Sequence, residues 1–235
     1  MKQPLLSIFL FATIVVGLIS CSQYSVIGSS DLSDMDGRKL YLKAIGLDSL
    51  ITLDSCDVVH GKFKFSGSLD STRIVTLCMD NLPIIPVVLE EGEVRVLING
   101  QKQESKGTPL NDSLSAFNLR YEMLISQFED LEHIQNQGYM NGENMDSINA
   151  ILQTRQRELL IKEDELVTSF ISANFDNCLG PYVFQLATSN YKYPVLVPWI
   201  EALMTKASEK FKNAPYVKEY MGLAQQNQDI MTGVK

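Results

Sequence analysis

The chain has 235 residues, of which 45% are hydrophobic and 20% are charged, values that suit a folded protein and argue against a disordered one. Its 20 basic and 28 acidic side chains give a net charge of −8. Such an acidic chain is a poor match for a nucleic-acid binder, because neutralising phosphates requires clustered cations.

The first 20 residues have the pattern of a secretion signal. An apolar run covers residues 5–19, which suits a signal-peptide core and is shorter than the roughly 20 residues that span a bilayer. The run ends in Leu18, Ile19, Ser20 and Cys21, which together resemble the bacterial lipobox. The resemblance implies cleavage before Cys21 and acylation of that cysteine, and more than one acyl chain gives stable membrane attachment. An ordinary secretory leader or a short transmembrane helix is the alternative.

The residues after Cys21 bear on which membrane holds the protein. By the sorting rule of enteric lipoproteins, an Asp directly after the cysteine favours the inner membrane, so Ser22 implies the outer membrane. Residues 22–26 carry no charge. They therefore lack the acidic signal that some surface-exported lipoproteins have, which favours the periplasmic face over the cell surface.

Residues 38–108 have the pattern of a β domain, and residues 21–37 are assigned to the anchored N-terminal segment and a first strand. Alternating polar and apolar residues between glycine turns predict strands at residues 39–44, 50–55, 62–67, 72–79, 84–89 and 93–98. Strands at this spacing predict an antiparallel β-sandwich or half-barrel. The polar stretch at residues 99–109 predicts a boundary.

Residues 109–235 have a helical pattern, so the chain as a whole is predicted to be of the α+β class. Apolar residues at three- and four-residue steps predict a first helix after Pro109, capped by Asn111 or Asp112 and broken at residues 137–142. A second helix is predicted at about residues 145–173, so the two form a long helical hairpin. Shorter C-terminal helices are predicted at residues 180–189, 195–211 and 215 to about 227.

The remaining cysteines are Cys56, Cys78 and Cys178, and none belongs to a C-x-x-C pair, which excludes a thioredoxin-type centre. Cys56 and Cys78 lie on predicted nearby strands, so a disulfide between them is one interpretation. The preferred one is that all three are small buried hydrophobic side chains. Cys178 lies at a predicted helix start, where the helix dipole can lower the pKa of a thiol, and it is the candidate reactive thiol.

Other kinds of reactive site find no support in the sequence. There are only two histidines, and no nucleophile-elbow or phosphate-loop motif is present. The sequence therefore predicts no catalytic residue, no metal site and no cofactor.

Three segments resemble one known family. They are VVHGKFKFSG at residues 58–67, VLEEGEV at residues 88–94 and GTPLNDSL at residues 107–114. Together they resemble the N-terminal domain of unknown function of membrane-anchored thiol–disulfide oxidoreductases of Gram-negative anaerobes. Residues 180–219 are similar to the helical connector that precedes the thioredoxin-like domain of those proteins. The chain ends about where that domain would begin, so the resemblance carries over no catalytic cysteine.

These observations predict a non-catalytic, lipid-anchored envelope protein that binds or scaffolds a ligand or partner. The alternative is an accessory component of a thiol–disulfide redox system that works with a separate thioredoxin-like protein. A third option is ligand capture by aromatic side chains near the C-terminus, although aromatics at such spacing are more often core residues. These aromatics are Tyr182, Phe184, Tyr191, Tyr193 and Trp199.

Overall fold

The computed structural model describes residues 22–45 and 50–233 of the chain. Eight strands are followed by six helices. The strands are β1 (Gln23–Ser30), β2 (Lys39–Ile45), β3 (Leu50–Asp57), β4 (Lys62–Ser68), β5 (Arg73–Met79), β6 (Leu82–Leu89), β7 (Gly92–Ile98) and β8 (Gln103–Lys106). The helices are α1 (Pro109–Met140), α2 (Met145–Ala173), α3 (Leu179–Thr188), α4 (Pro198–Lys206), α5 (Glu209–Lys212) and α6 (Pro215–Thr232). This order of elements confirms the predicted α+β class.

The strands form two four-stranded sheets that pack face to face. Their strand orders are β4-β1-β7-β8 and β3-β2-β5-β6. All neighbouring strands are antiparallel except β1 and β7, which run parallel, with Tyr24 opposite Gly92 and Ser30 opposite Ile98. The prediction of an antiparallel sandwich is therefore confirmed apart from this pair. The exception arises because β1 and β7 are far apart in the chain, and a long connection permits either strand direction.

The core between the sheets follows from the period-two alternation along each strand. In β4, Phe63 and Phe65 are buried in the core while Lys62 and Lys64 are exposed. Across the sheet, Gly28 of β1 lies opposite Phe63. A Cβ atom at Gly28 would come within 2.0 Å of the Phe63 ring, so the glycine is what lets this ring lie flat across β1.

The two ends of the sandwich are distinct. The proximal end is where β1 begins, with Tyr24 paired to Gly67 of β4 and Gly92 of β7. The distal end is where β1 finishes, and there the Ser30 N–H donates to the Gly61 carbonyl at 2.7 Å. The turns between β5 and β6 and between β7 and β8 also lie at the distal end.

The end of β2 and the start of β3 lie at the proximal end. The side chain of Asp54 in β3 lies beside that of Tyr24 in β1, and β3 leads at its other end into the turn that contacts the end of β1. Strands β1 and β3 therefore run in the same direction on the two facing sheets. The start of β3, which is joined to β2, consequently lies at the proximal end.

Strand β8 lies within the polar stretch at which the sequence predicts a boundary between the β domain and the helical region. It has only four residues, and their polarity hides the strand pattern. It pairs with β7 and forms one edge of its sheet, close to β6 at the edge of the other sheet. Helix α1 lies along both edge strands, and such a cover protects edges from pairing with other chains.

The two long helices form the predicted antiparallel hairpin. The expected break at residues 137–142 is only partly correct, because α1 continues through Gly138 to Met140. An added Cβ at Gly138 would lie 2.2 Å from Ile148 of α2, so this glycine permits close helix contact instead of ending the helix. The single helix predicted at residues 195–211 is in fact two, since Ser208 caps α5 by accepting from the Phe211 N–H at 3.2 Å.

Helices α3 to α6 pack against α1 and α2 around an aromatic core. Phe184 is fully buried and makes edge-on ring contacts with Trp199, Phe211, Tyr216 and Tyr220. Tyr182 and Tyr191 are half-buried in the same region. Most of the aromatics considered for ligand capture are therefore part of the core, and only Tyr193 is largely exposed. Across residues 22–45 and 50–233, no helix has the length and hydropathy needed to cross a bilayer.

Candidate functional site

The predicted lipid-attachment motif, Leu18, Ile19, Ser20 and Cys21, lies outside the described residues. The structure does show how the residue that follows it is held. The Ser22 carbonyl accepts a hydrogen bond from the Leu69 N–H at 2.8 Å. The Ser22 hydroxyl donates to a Glu91 carboxylate oxygen at 3.4 Å. Ser22, the residue directly after Cys21 in the sequence, is therefore fixed at the proximal end.

A small depression opens at the proximal end beside Tyr24. It has a volume of about 390 Å³ and is lined by residues of β1, β3, β4, β5, β6 and the β4–β5 loop, including Tyr24, Asp54, Asp70 and Arg73. Burial, and then the charge of Asp54, raise the pKa of the Tyr24 hydroxyl. The phenol therefore stays neutral at physiological pH and acts here as a hydrogen-bonding group.

Cys56 and Cys78 do not form the disulfide considered from the sequence; both are free thiols. Cys56 in β3 pairs with Leu40 of β2, and Cys78 in β5 pairs with Tyr41 of β2, so β2 lies between them. Two strand spacings are about 9.5 Å, whereas bridged cysteines have Cα atoms within about 7 Å. Burial raises the pKa of both thiols, that of Cys56 to about 11.

Cys178 immediately precedes α3, as predicted, but its environment is not that of a reactive thiol. It packs beside the small apolar cluster of Val88, Leu114 and Leu179, where the sandwich meets the helices. Burial raises the pKa of Cys178 to about 11, and the nearby Glu90 carboxylate adds to the increase. Loss of hydration on burial thus opposes the lowering of the pKa that a helix dipole can produce.

A buried polar cluster joins the sandwich to α1, and it is built from the GTPLND segment. Asn111 is fully buried, and its side chain donates to the Val88 carbonyl at 2.8 Å and accepts from the Val88 N–H at 3.0 Å. It also donates to the Thr108 hydroxyl at 2.8 Å. Asn111 thereby hydrogen-bonds to the edge strand β6 as a neighbouring strand would. It does not cap the helix, contrary to the prediction.

Glu90 supplies the cap of α1 from outside the helix. Its carboxylate accepts from the Leu110 N–H at 2.8 Å and from the Asn111 N–H at 3.2 Å. A negative charge at a helix N-terminus is favourable, because it faces unpaired N–H groups and the positive end of the helix dipole. Asp112, the other predicted cap, accepts instead from the Gly107 N–H at 2.9 Å. A cap from a residue 20 positions away leaves no local sequence signal.

A larger cleft lies between α1 and the edge of the sandwich. Its volume is about 850 Å³. The apolar part of its lining comes from β6 and from Ala116 and Leu119 of α1. Amide and charged side chains line the rest, and they are Asn99, Gln101, Lys102, Gln103, Glu104, Lys106, Asp112, Asn118 and Glu122. The cleft thus combines an apolar patch with many hydrogen-bonding groups, and its lining is more polar than that of a typical small-molecule pocket.

Most ion pairs on the described surface join one acidic and one basic side chain. Glu104, in β8 beside the cleft, contacts both Lys102 and Lys106. Hydrogen bonds from the two lysines lower the pKa of this carboxyl. Among residues 22–45 and 50–233, no group of three or more His, Cys, Asp and Glu side chains is arranged to hold a metal ion.

Comparison with known proteins identifies the β region. Residues 24–114 match a domain of unknown function, DUF4369. No curated protein and no solved structure shows a significant match to the chain. The matched residues comprise the sandwich and the first turns of α1, and all three motif segments lie within them. In the structure those segments build the core, a turn and the junction with α1, which are structural tasks.

Proposed function

We propose that this protein is a lipid-anchored protein of the cell envelope that binds a partner and catalyses no reaction itself. The observation that supports the anchor best is the apolar run ending in Cys21, directly before a residue hydrogen-bonded to the end of the sandwich. An anchor at this position would hold a folded body close to the membrane with almost no linker. Ser22 and the uncharged residues after it favour the periplasmic face of the outer membrane.

Mass spectrometry of the protein purified from membranes tests the anchor. We expect the N-terminal peptide to begin at Cys21 and to carry the mass of attached acyl chains. The variant Cys21→Ser should keep its leader and lose the added mass. An unmodified cysteine thiol at this position in the mature protein would overturn the anchor.

The cleft between α1 and the edge of the sandwich is the surface that we assign to partner binding. Its two walls are fixed relative to each other by the buried bonds of Asn111 and by the Glu90 cap. A preformed cleft binds with little loss of conformational entropy. Its amide-rich rim suits a partner that offers backbone or hydroxyl groups for hydrogen bonding.

Pull-down from envelope extracts, with two matched variants, tests the binding role. Leu119 lines the cleft, and Met123 lies one helical turn further along α1; both side chains are largely exposed. We expect Leu119→Arg to abolish recovery of the partner and Met123→Arg to leave it unchanged. Recovery of the same proteins by an unrelated lipoprotein, or equal recovery by both variants, would contradict the assignment of this cleft.

The same experiment addresses the link to thiol–disulfide chemistry. The raised pKa of Cys178 and its burial count against a reaction at its own sulfur. A redox role would then consist of binding a separate thioredoxin-like protein. Capture of such an oxidoreductase through the cleft would identify this chain as its accessory component.

A further inference from the structure

The outer face of the sheet formed by β4, β1, β7 and β8 is positively charged. Phe63, Val94 and Ser105 are buried, so their neighbours in β4, β7 and β8 point away from the core. The charged side chains on this outer face are Lys62, Lys64, Glu93, Arg95, Lys102, Glu104 and Lys106. Five cations and two carboxylates give this surface, the basic face, a net charge of +3, although the whole chain has −8.

The register of the strands places three cations in one row across the basic face. Ile27 of β1 pairs with Lys64 of β4 on one side and with Arg95 of β7 on the other. Arg95 in turn pairs with Lys106 of β8. With neighbouring strands about 4.8 Å apart, the row is about 14 Å long. A molecule that crosses the strands would therefore meet a cation on three of the four.

The carboxylates of the basic face neutralise only part of its charge. Lys102 and Lys106 share a single carboxylate, that of Glu104. Arg95 pairs with Glu93 at 3.3 Å, but its side chain is 71% exposed. Exposed pairs of this kind are weak, so the guanidinium and the two ammonium groups can exchange these partners for an external anion.

Protection of the sheet edge explains only some of these cations. Lysines on an edge strand discourage pairing with other chains, and this accounts for Lys62 and Lys64 on β4. It does not account for Arg95, because β7 lies between β1 and β8. Within the described part of the chain, neither Lys62 nor Lys64 forms a salt bridge.

From this arrangement we infer that the basic face binds a linear acidic polysaccharide, a chain of sugars that carry carboxylate groups. The cations attract the carboxylates. Short hydroxyl and amide side chains lie between the cations, and they are Gln23, Ser25, Ser29, Ser66 and Ser68. Such groups both donate and accept hydrogen bonds, which matches the hydroxyl groups of sugars.

The size and composition of the basic face favour a polysaccharide over other anionic partners. Four strands of about seven residues cover roughly 300–400 Å², whereas a stable protein interface buries about 800 Å² on each partner. Single-stranded nucleic acid stacks its bases on aromatic side chains. None of the outward-facing side chains of these four strands is aromatic.

The basic face and the cleft assigned to partner binding meet only at β8. Lys102, Glu104 and Lys106 line the cleft as well, whereas Lys64 and Arg95 do not. The inference therefore depends neither on the cleft nor on the lipid anchor.

Titration with oligogalacturonate, a linear oligosaccharide with one carboxylate per sugar, tests the inference on the full-length protein in a neutral detergent. The test variant combines Lys64→Gln, Arg95→Gln and Lys106→Gln. The matched control makes the same change of charge at exposed positions of the helices, through Arg157→Gln, Lys206→Gln and Lys218→Gln. Circular dichroism establishes that both variants are folded.

We expect the test variant to bind oligogalacturonate about tenfold more weakly than the wild type, and the control variant to bind it equally well. Binding by the wild type should weaken as salt screens the charges. Leu119→Arg in the cleft should have no effect. No binding by the wild type, equal loss in both triple variants, or equal binding of a neutral maltooligosaccharide would overturn the inference. Tighter binding of an oligothymidylate of the same charge would overturn it in favour of nucleic acid.

Acetylation of the native protein gives a second readout that needs no variant. Bound oligogalacturonate should slow the acetylation of Lys64 and Lys106 severalfold and leave that of Lys218 unchanged, as measured by peptide mass spectrometry. Binding without any protection of Lys64 would overturn the placement on the basic face.

Discussion

Asn111 shows how a single side chain can join two parts of a protein. Its amide donates to and accepts from the backbone of Val88, so it completes the hydrogen bonding of an edge strand from within a helix. The GTPLND segment was predicted to cap the helix, because Asn and Asp are common there. What the sequence could not show is that the cap comes from Glu90 and that Asn111 faces the sheet. Both facts depend on contacts between residues about 20 positions apart.

We predict that Asn111→Ala destabilises the protein strongly. The substitution leaves the Val88 N–H and carbonyl buried without partners, which should lower the free energy of unfolding by about 2–4 kcal/mol. Asn118→Ala on the same helix is the control, and its half-exposed amide should contribute less than about 0.5 kcal/mol. Urea unfolding followed by circular dichroism measures both. Equal stability of the two variants would contradict the role given to Asn111.

A second prediction concerns the thiol of Cys178. Raising its pKa from 9.0 to about 11 lowers the thiolate fraction near neutral pH about a hundredfold. Iodoacetamide should therefore modify Cys178 about a hundred times more slowly in the native protein than in urea, with the native rate rising until about pH 11. Because the unfolded thiol ionises first, this group also reduces stability as the pH rises from about 9 to 11.

Peptide mass spectrometry across pH follows the modification of Cys178, with the urea-unfolded protein as reference. Rapid modification of the native thiol near neutral pH would restore the idea of a reactive thiol at α3.

The sequence predicts best those strands and helices in which apolar residues recur at regular intervals. Strands β2, β4 and β7 alternate cleanly, and α2 has apolar residues at helical spacing, so the predicted bounds agree with the structure within about two residues. Strand β8 was missed because four polar residues carry no alternation. The parallel pairing of β1 with β7 was missed because strand direction is set by the whole sheet.

Strand β1 carries a prediction at this scale. In Gly28→Ala, the added methyl group would overlap the Phe63 ring, which is buried between the sheets. We expect a loss of about 1–3 kcal/mol in the free energy of unfolding, typical of overpacking. Gly100→Ala in the β7–β8 turn is the matched control, since a Cβ there meets no atom within 4 Å. Thermal melts of the two variants that coincide would show that the ring can move aside.

At the level of the whole molecule, the sandwich and the helices are joined by a small apolar cluster of Val88, Leu114 and Leu179. The change from β to helical pattern near Pro109 is visible in the sequence. The cluster is not, because it brings together a strand, the start of α1 and the start of α3. The function of the whole body was not readable either, since the matched domain has no assigned activity.

We predict that Leu179→Ala weakens the sandwich and the helices together. Removing this fully buried side chain should cost about 2–5 kcal/mol and increase amide exchange both in β6 and in α3. Leu186→Ala, an exposed position on the same helix, should leave exchange in β6 unchanged. Hydrogen-exchange mass spectrometry distinguishes the cases. Faster exchange confined to α3 in Leu179→Ala would show that the two parts fold independently.

The length of the helix pair determines how far its end lies from the proximal end of the sandwich. Helix α1 starts beside Gly107, and its residue Glu122 lines the same cleft as the turn at Asn99. The 18 residues from Glu122 to Met140 extend up to about 27 Å beyond that turn, and an eight-residue strand adds about 26 Å. With the attachment at Cys21 that we propose, the proximal end would face the lipid, and Tyr139 and Met140 would lie as much as about 50 Å above it. The helix pair would then act as a spacer. A molecule that contacts Tyr139 and Met140 must itself extend to that distance from the membrane or lie further away.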